Sequence, residues 1–532
     1  MLKVNSSFDE HVVARLLDFF NSNTPWQRRL WNSGIVLTLR EALEASRAVA
    51  VGVISNAALH NVLSTAVVLA AHDPGIGERS QLKVLQNALK SDVKNGGLEL
   101  DGHEYRLLQL LLADIEDSYL HRWSNALASG GLAPGPERAA RALASHLLDE
   151  GFSSDFLHSW WTFKIHGKGT TQTLSEIIAD AQTLVSKPLR EFELVIGFEH
   201  APPPYREPPA KDSLWISNVE LSDWLRANKF DVAGVRTRGG LKFKVKARDA
   251  KTAADTVSET VDRILSRADL GTYRHLLPID RIWIAGEKQS VPLAPRRRRV
   301  EIHAVSRENR LYSVTEFSIV DAAIELVAPL DLESPSPAVA GGWAGIEALL
   351  TGPGDKERVL AGDRMAALVA CSFPRAEFTD LSYKLEKLGG KLADKLKACV
   401  SNRDRAGLLV DLIAAGTPPE FQRPSDIAAL DRMRRLLNAP SRTLADIEYH
   451  VSTAFRRLYR HRNMVLHWGK TDAVGLRACL RTAAPLVGAG LDRIAHAWFV
   501  QGAHPLELAA RARLRLGTIE SASANSVLDL LE

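Results

Sequence analysis

The sequence predicts a mixed, mainly α-helical protein with a helical N-terminal region (1–187), a central mixed α/β domain (188–330) and a C-terminal all-α helical bundle (331–532). Three observations predict it. Apolar residues recur at three- and four-residue spacing through the first and last parts of the chain, the period of a helix with one buried face. Runs that alternate apolar and polar residues, the strand period, are confined to the middle. Proline-rich stretches mark the passages between these regions: HAPPPYREPPA (200–210) is a loop, and LESPSP (332–337) resembles a linker. A chain of 532 residues suits two to four domains with full-sized cores.

In the N-terminal region, Tyr105 to Leu127 and Glu137 to Leu148 are the clearest helices. Asp73-Pro74-Gly75 and Gly130-Gly131 punctuate them. Ala48 to Ala71 is the most apolar stretch, but Asn56, His60, Asn61 and Ser64 interrupt it, which fits a buried helix better than a membrane span. In the centre, FELVIGFE (192–199), LKFKVKA (241–247), RIWIAG (281–286), RVEIHAVS (299–306) and LYSVTEFS (311–318) are expected strands, and Asp249 to Arg267 an amphipathic helix. Beyond 337 the expected helices are Gly341–Leu350, Arg358–Ala370, Glu377–Leu388, Lys391–Val400, Asp404–Ala415, Ser425–Leu437, Thr443–His467, Ala473–Trp498 and Leu506–Leu516. Pro485 is expected to kink or split the eighth of these.

Composition narrows the functional classes. The net charge of +4 is small for this length, so nucleic-acid binding has to rest on local clusters. Three widely spaced cysteines without a CxxC argue against a disulfide framework or a zinc site and fit a reducing cytosol. The N-terminus lacks a basic segment followed by an apolar one, so a cytoplasmic protein without a membrane anchor is expected. There is no GxxxxGK[ST], GxGxxG after a strand, GxSxG or HExxH. No cofactor or metal is called for.

The helix expected over Thr443–His467 carries the most informative residues. Ser441 or Thr443 can cap it, and Asp446 suits the positive helix start. Its apolar stripe runs Ile447, Val451, Phe455, Leu458, then Val465 and Leu466, and Arg462 continues that stripe. An inward arginine is costly unless it is paired or faces a cleft. His467 lies five residues on, where Gly469 ends the helix, and Asn463 shares the face of His467. The R-x4-H spacing alone is not specific: Arg141/His146, Arg298/His303 and Arg456/His461 also show it. Only Arg462 is followed by Asn and stands near a helix end.

RNMVLH (462–467) resembles the R-N-x-x-x-H signature of HEPN domains, a helical-bundle superfamily that includes many RNases. GGWAGIEALLTGPGDKERVLAGDRMAALVA (341–370) resembles the opening helices of HEPN domains of the ApeA-like group. The resemblance covers about 331–532. It implies a metal-independent endoribonuclease with Arg462, His467 and Asn463 as catalytic residues and Glu347 as a support holding Arg462. RNA supplies its own 2′-hydroxyl nucleophile. Cleavage needs a proton acceptor, a proton donor and positive charge at the phosphate. Histidine suits the first two tasks and arginine the third. HEPN sites form where two bundles face each other, so a homodimer is implied. By the same resemblance the setting is prokaryotic anti-phage defence or abortive infection, with the first two-thirds of the chain sensing a phage-derived trigger.

Residues 433–532 hold fourteen Arg or Lys against eight acids. Arg456, Arg457, Arg460 and Lys470 are the expected RNA-backbone contacts. PRRRRV (295–300) suits phosphate contact or pairing with an acidic partner, and the lysines 242, 244 and 246 form a further basic face that an edge strand using lysine against aggregation explains as well. For Arg462 and His467 the structural alternative is an arginine bridging buried carboxylates and a histidine favoured by the negative helix end. The functional alternative is a non-catalytic RNA-binding or dimerisation scaffold.

Overall fold

A computed structural model describes the chain except for residues 1–5, 96–97, 131–133, 168–171, 202–213, 233–234, 273–274, 294–296, 314–317, 333 and 520–523. Eight helices come first: α1 (Ser7–Phe20), α2 (Ile35–Ala50), α3 (Asn56–Ala70), α4 (Arg79–Asn95), α5 (His103–Ala128), α6 (Pro136–Asp149), α7 (Ser154–His166) and α8 (Leu174–Val185). Local chemistry fixes several of their ends. Ser6, Ser55 and Ser153 cap α1, α3 and α7, and Thr173 with Glu176 forms a capping box on α8.

The central part contains β1 (Arg190–His200), β2 (Trp215–Ser217), α9 (Asn218–Ala227), β3 (Gly239–Ala247), α10 (Ala250–Thr272), β4 (Leu277–Pro278), β5 (Arg281–Ile284) and β6 (Val291–Pro292). The strands form one antiparallel sheet in the order β2-β3-β1-β5-β6, with β4 also on β1. Leu194 pairs with Phe243, and both faces of the sheet are covered. Phe192, Leu194, Ile196 and Phe198 pack on α10, whereas Val195 and Trp283 meet Leu221, Trp224 and Leu225 of α9. These two cores are separate from the main one. Polar contacts dock the sheet: Arg248 donates to the carbonyls of Glu150 (3.1 Å) and Val185 (2.9 Å), and Asp249 accepts from the Ser153 amide (2.8 Å).

The rest is helical: α11 (Ala304–Arg307), α12 (Ile319–Leu332), α13 (Pro335–Leu350), α14 (Leu360–Leu388), α15 (Lys391–Lys397), α16 (Asn402–Ala414), α17 (Pro424–Asn438), α18 (Pro440–Trp468), α19 (Leu476–Gln501) and α20 (Pro505–Thr518). A single hydrophobic core runs from Val12 to Leu531, so the first and last helical parts share one interior. Ala304 and α12 belong to that interior, and the sheet layer ends near Leu293 rather than at 330.

The expected linker at 332–337 is instead the junction between α12 and α13; residue 333 lies outside the described residues. These two helices meet along glycines. A Cβ on Gly341 would lie 2.4 Å from the Leu326 carbonyl oxygen, and one on Gly345 would lie 2.1 Å from Val327 Cγ2. Gly341→Ala is therefore expected to lower stability by about 1–3 kcal/mol through overpacking against a backbone that cannot step aside. Urea unfolding measures it, and an unchanged midpoint would mean that α12 shifts freely.

Three other expectations change. RVEIHAVS forms no strand; Val300, Ile302 and Ala304 pack on the main core, and the backbone of Glu301 passes so close to α19 that a Cβ on Gly488 would lie 2.6 Å from its nitrogen. LYSVTEFS forms no strand in its described part, and 314–317 lie outside the described residues, as do 202–210 of the proline-rich loop and 295–296 of the basic run. α14 runs through Pro374 as one helix and α19 through Pro485, so neither splits. Among the described residues no helix is long and apolar enough to cross a membrane.

Candidate functional site

α18 positions the R-N-x-x-x-H residues. It starts at Pro440, earlier than expected, with Ala439 at the N-cap position and no side-chain cap from Ser441 or Thr443. It ends at the left-handed Gly469, as the sequence predicts, with the Gly469 amide reaching the Val465 carbonyl at 3.1 Å. Val451, Phe455 and Leu458 are buried, and Phe455 lies against Gly362 of α14 and near Trp343 of α13.

A second buried face was not expected. Arg457, Arg460 and His461, three and four residues apart, point together at Glu41 of α2. Arg457 Nε stands 3.0 Å from Glu41 Oε1, Arg460 Nη2 2.9 Å from Oε2, and His461 Nε2 3.3 Å from Oε1. Arg457 also donates to Ser33. Burial alone would push the Glu41 carboxyl up; Arg457 and Arg460 outweigh it and hold the group well below the usual carboxylate range. Burial pushes the His461 imidazole down against the pull of Glu41.

This corrects two expectations. Arg457 and Arg460 are inward-facing on this second face and ion-paired, so they cannot contact RNA, and Arg462, which continues the apolar stripe, is not fully buried. Arg462 sits half-buried at its rim, while Leu466, expected on that stripe, is exposed. Arg456 is held by both oxygens of Asp363, at 2.9 and 2.7 Å, and Lys470 Nζ lies 2.8 Å from Asp472. Their charges are already matched.

The three motif residues do meet. Arg462 Nη1 donates to Asn463 Oδ1 at 3.0 Å and stands 3.4 Å from His467 Nε2. A guanidinium only donates, so a hydrogen bond in this contact has Nε2 as its acceptor. Asn463 thus touches the guanidinium; no contact from it to the imidazole accompanies that. His467 is exposed, flanked by the exposed Leu466 and Trp468. Glu347 does not hold Arg462: its Oε1 lies 3.4 Å from Arg358 Nε. The other three R-x4-H pairs separate in kind. His146 is buried against the Tyr119 ring (4.3 Å between centroids), His461 is sealed on Glu41, and Arg298 and His303 lie in the segment that forms no strand.

The remaining basic residues of the C-terminal part are also largely paired. Arg432 Nη1 lies 3.0 Å from Glu137, Arg477 2.9 Å from Glu259 and Arg481 2.6 Å from Asp149. Arg299 of the basic run reaches Glu301 and Asn23, and Lys242 pairs with Glu193. No cluster of three or more His, Cys, Asp or Glu suited to a metal ion occurs among the described residues.

The sequence reading missed Glu41. Its one visible signal was a pair of acids, Glu41 and Glu44, inside the otherwise apolar face of α2. Comparison with family models, curated proteins and solved structures finds no match.

Proposed function

We propose that this chain is a metal-independent endoribonuclease of HEPN type. The observation that supports this best is the contact of Arg462, Asn463 and His467 at an exposed, glycine-capped helix end. Cleavage there uses the RNA 2′-hydroxyl as nucleophile. The imidazole of His467 takes or supplies the proton, the guanidinium of Arg462 balances charge on the phosphate, and Asn463 fixes the guanidinium plane. The products are a 2′,3′-cyclic phosphate and a 5′-hydroxyl. The exposed Leu466 and Trp468 beside His467 suit burial against a second copy, so the working unit is a homodimer with two motifs lining one groove. The cellular setting is cytoplasmic anti-phage defence or abortive infection in a prokaryote, with a phage-derived trigger releasing activity.

A second reading is a non-catalytic RNA-binding or dimerisation scaffold; the ion-paired state of Arg456, Arg457, Arg460 and Lys470 favours its dimerisation form, because little unmatched positive charge is left around the motif for an RNA backbone. End-labelled RNA incubated in EDTA separates the two. The expected result is cleavage by the wild-type chain and a loss of about 100-fold or more in His467→Ala, with the unfolding midpoint unchanged because the side chain is exposed. RNA retained but uncut by both proteins would leave the scaffold.

A further inference from the structure

We propose that a cavity between the N-terminal helices and the start of α18 is a binding site for an organic phosphate of nucleotide size. The cavity has a volume of about 660 Å³, within the range of small-ligand sites. It is bounded by the segment leading into α2, by the end of α3, by α6, and by the junction of α17 and α18.

Its charge is one-sided. Seven arginines line it against three acids, Asp73, Glu137 and Asp446. Two of those acids are already committed. Glu137 is shared by Arg15 (2.9 Å), Arg432 (3.0 Å) and His11 (2.9 Å), and Asp73 accepts from the Tyr119 hydroxyl and the Gly75 amide, both at 2.8 Å. What faces the open volume is mostly cationic. Arg442 has no hydrogen bond or ion pair among the described residues. Arg435 uses only its Nε, on the Asp431 carbonyl at 3.3 Å. Arg141 lies over the Trp31 ring at 5.8 Å and no closer than 3.8 Å to Glu137. Arg138 spends one terminal nitrogen on the carbonyls that end α3.

Crowding guanidinium groups in a partly desolvated hollow costs free energy unless an anion balances them. His450 stands in the same wall, its imidazole pushed down to about 3 by desolvation first and by Arg141 and Arg138 after it. The helix start adds to the attraction. α18 opens onto the cavity with Ala439 at its N-cap position and no side-chain cap, leaving its positive end for a ligand. Arginine forks match phosphate oxygens in geometry as well as charge. Tyr449, exposed at the rim, offers a ring to a base.

The site is distinct from the R-N-x-x-x-H residues. The cavity lining on α18 extends from Arg442 to His450, and His467 lies 17 residues beyond His450 on the same helix, roughly 26 Å at the rise of an α-helix. The inference therefore stands whether or not the chain cuts RNA.

Calorimetric titration of the full chain with AMP, ATP, ribose 5-phosphate and inorganic phosphate tests it. Saturable binding of at least one organic phosphate, tighter than inorganic phosphate, is expected. The double variant Arg435→Ala/Arg442→Ala should weaken it by about tenfold or more. Both side chains are exposed, so the unliganded unfolding midpoint should stay put. Tight AMP or ATP with weak ribose 5-phosphate supports a nucleotide; equal binding of all three supports a phosphate site indifferent to the base. No binding by any organic phosphate, binding no tighter than inorganic phosphate, or binding unchanged in the double variant overturns the proposal.

Discussion

Glu41→Ala is expected to destabilise the protein by about 3–5 kcal/mol, a large fraction of a typical folding free energy. The substitution removes the carboxylate that pairs directly with Arg457, Arg460 and His461, each 5% exposed or less. Two permanent cations then remain in the core without their direct ion-pair partner, with the more distant Glu44 and Asp149 still acting on them, and a carboxylate-sized hole opens beside Gly475, whose added Cβ would sit 1.7 Å from Glu41 Oε1. Glu41→Gln keeps the volume but not the charge, and should recover only part of the loss. Chemical denaturation of the two variants reads both effects; equal stability of Glu41→Ala and wild type would mean that water reaches the arginines. The pH dependence has one sign. Glu41 and His461 are both lowered on folding, so the stability they carry is present at neutral pH and is lost as acid protonates them.

Residues 331–532 produced alone are expected to show no cooperative unfolding transition. The helices in that segment depend on charges supplied from the first part of the chain. Arg457 and Arg460 would lose Glu41, Arg432 would lose Glu137, and the fully buried Glu377 would lose Arg28, whose Nε lies 2.7 Å away. Phe373 would lose the edge contacts of Trp26 and Trp31, with ring centroids at 6.4 and 5.6 Å. Each broken buried pair costs about 3–5 kcal/mol, and several together exceed what a domain of this size holds in reserve. Far-ultraviolet circular dichroism during heating decides the matter: a sharp, reversible transition from the isolated segment would show that it folds independently.

The dependence between the two ends of the chain is also where the sequence was least legible. Helices announced themselves through period: α5, α6, α10 and α20 fall close to their expected bounds, because each buries one stripe and exposes the rest. Glycine at 469 ended α18 where a left-handed residue was needed. The failures share a cause. Val300, Ile302 and Ala304 alternate as a strand would, yet they bury on the main core with no ladder partner: Val300 and Ile302 precede a turn and Ala304 already opens α11, so an irregular segment lying on a helix reproduces the same period over a few residues. Arg457 and Arg460 looked like surface charges because nothing near them in the chain is acidic; their partner lies more than 400 residues away. Arg462, Asn463 and His467 could be singled out because they are local to one helix, but the contact of Asn463 with the guanidinium was not legible, and neither was the pairing of Glu347 with Arg358.

The attachment of the sheet has a mechanical consequence. The polypeptide leaves the helical body after α8 and rejoins it near Val300, and the intervening layer keeps its own small apolar cores. What fastens it at the turn before α7 and at the end of α8 is polar: Arg248 on the carbonyls of Glu150, Val185 and Lys187, and Asp249 on the Ser153 amide. Such fastenings give way at far lower cost than a greasy interface. A molecule that grips the sheet would therefore loosen it first at the α6–α7 corner, before the apolar interior of the bundle is disturbed.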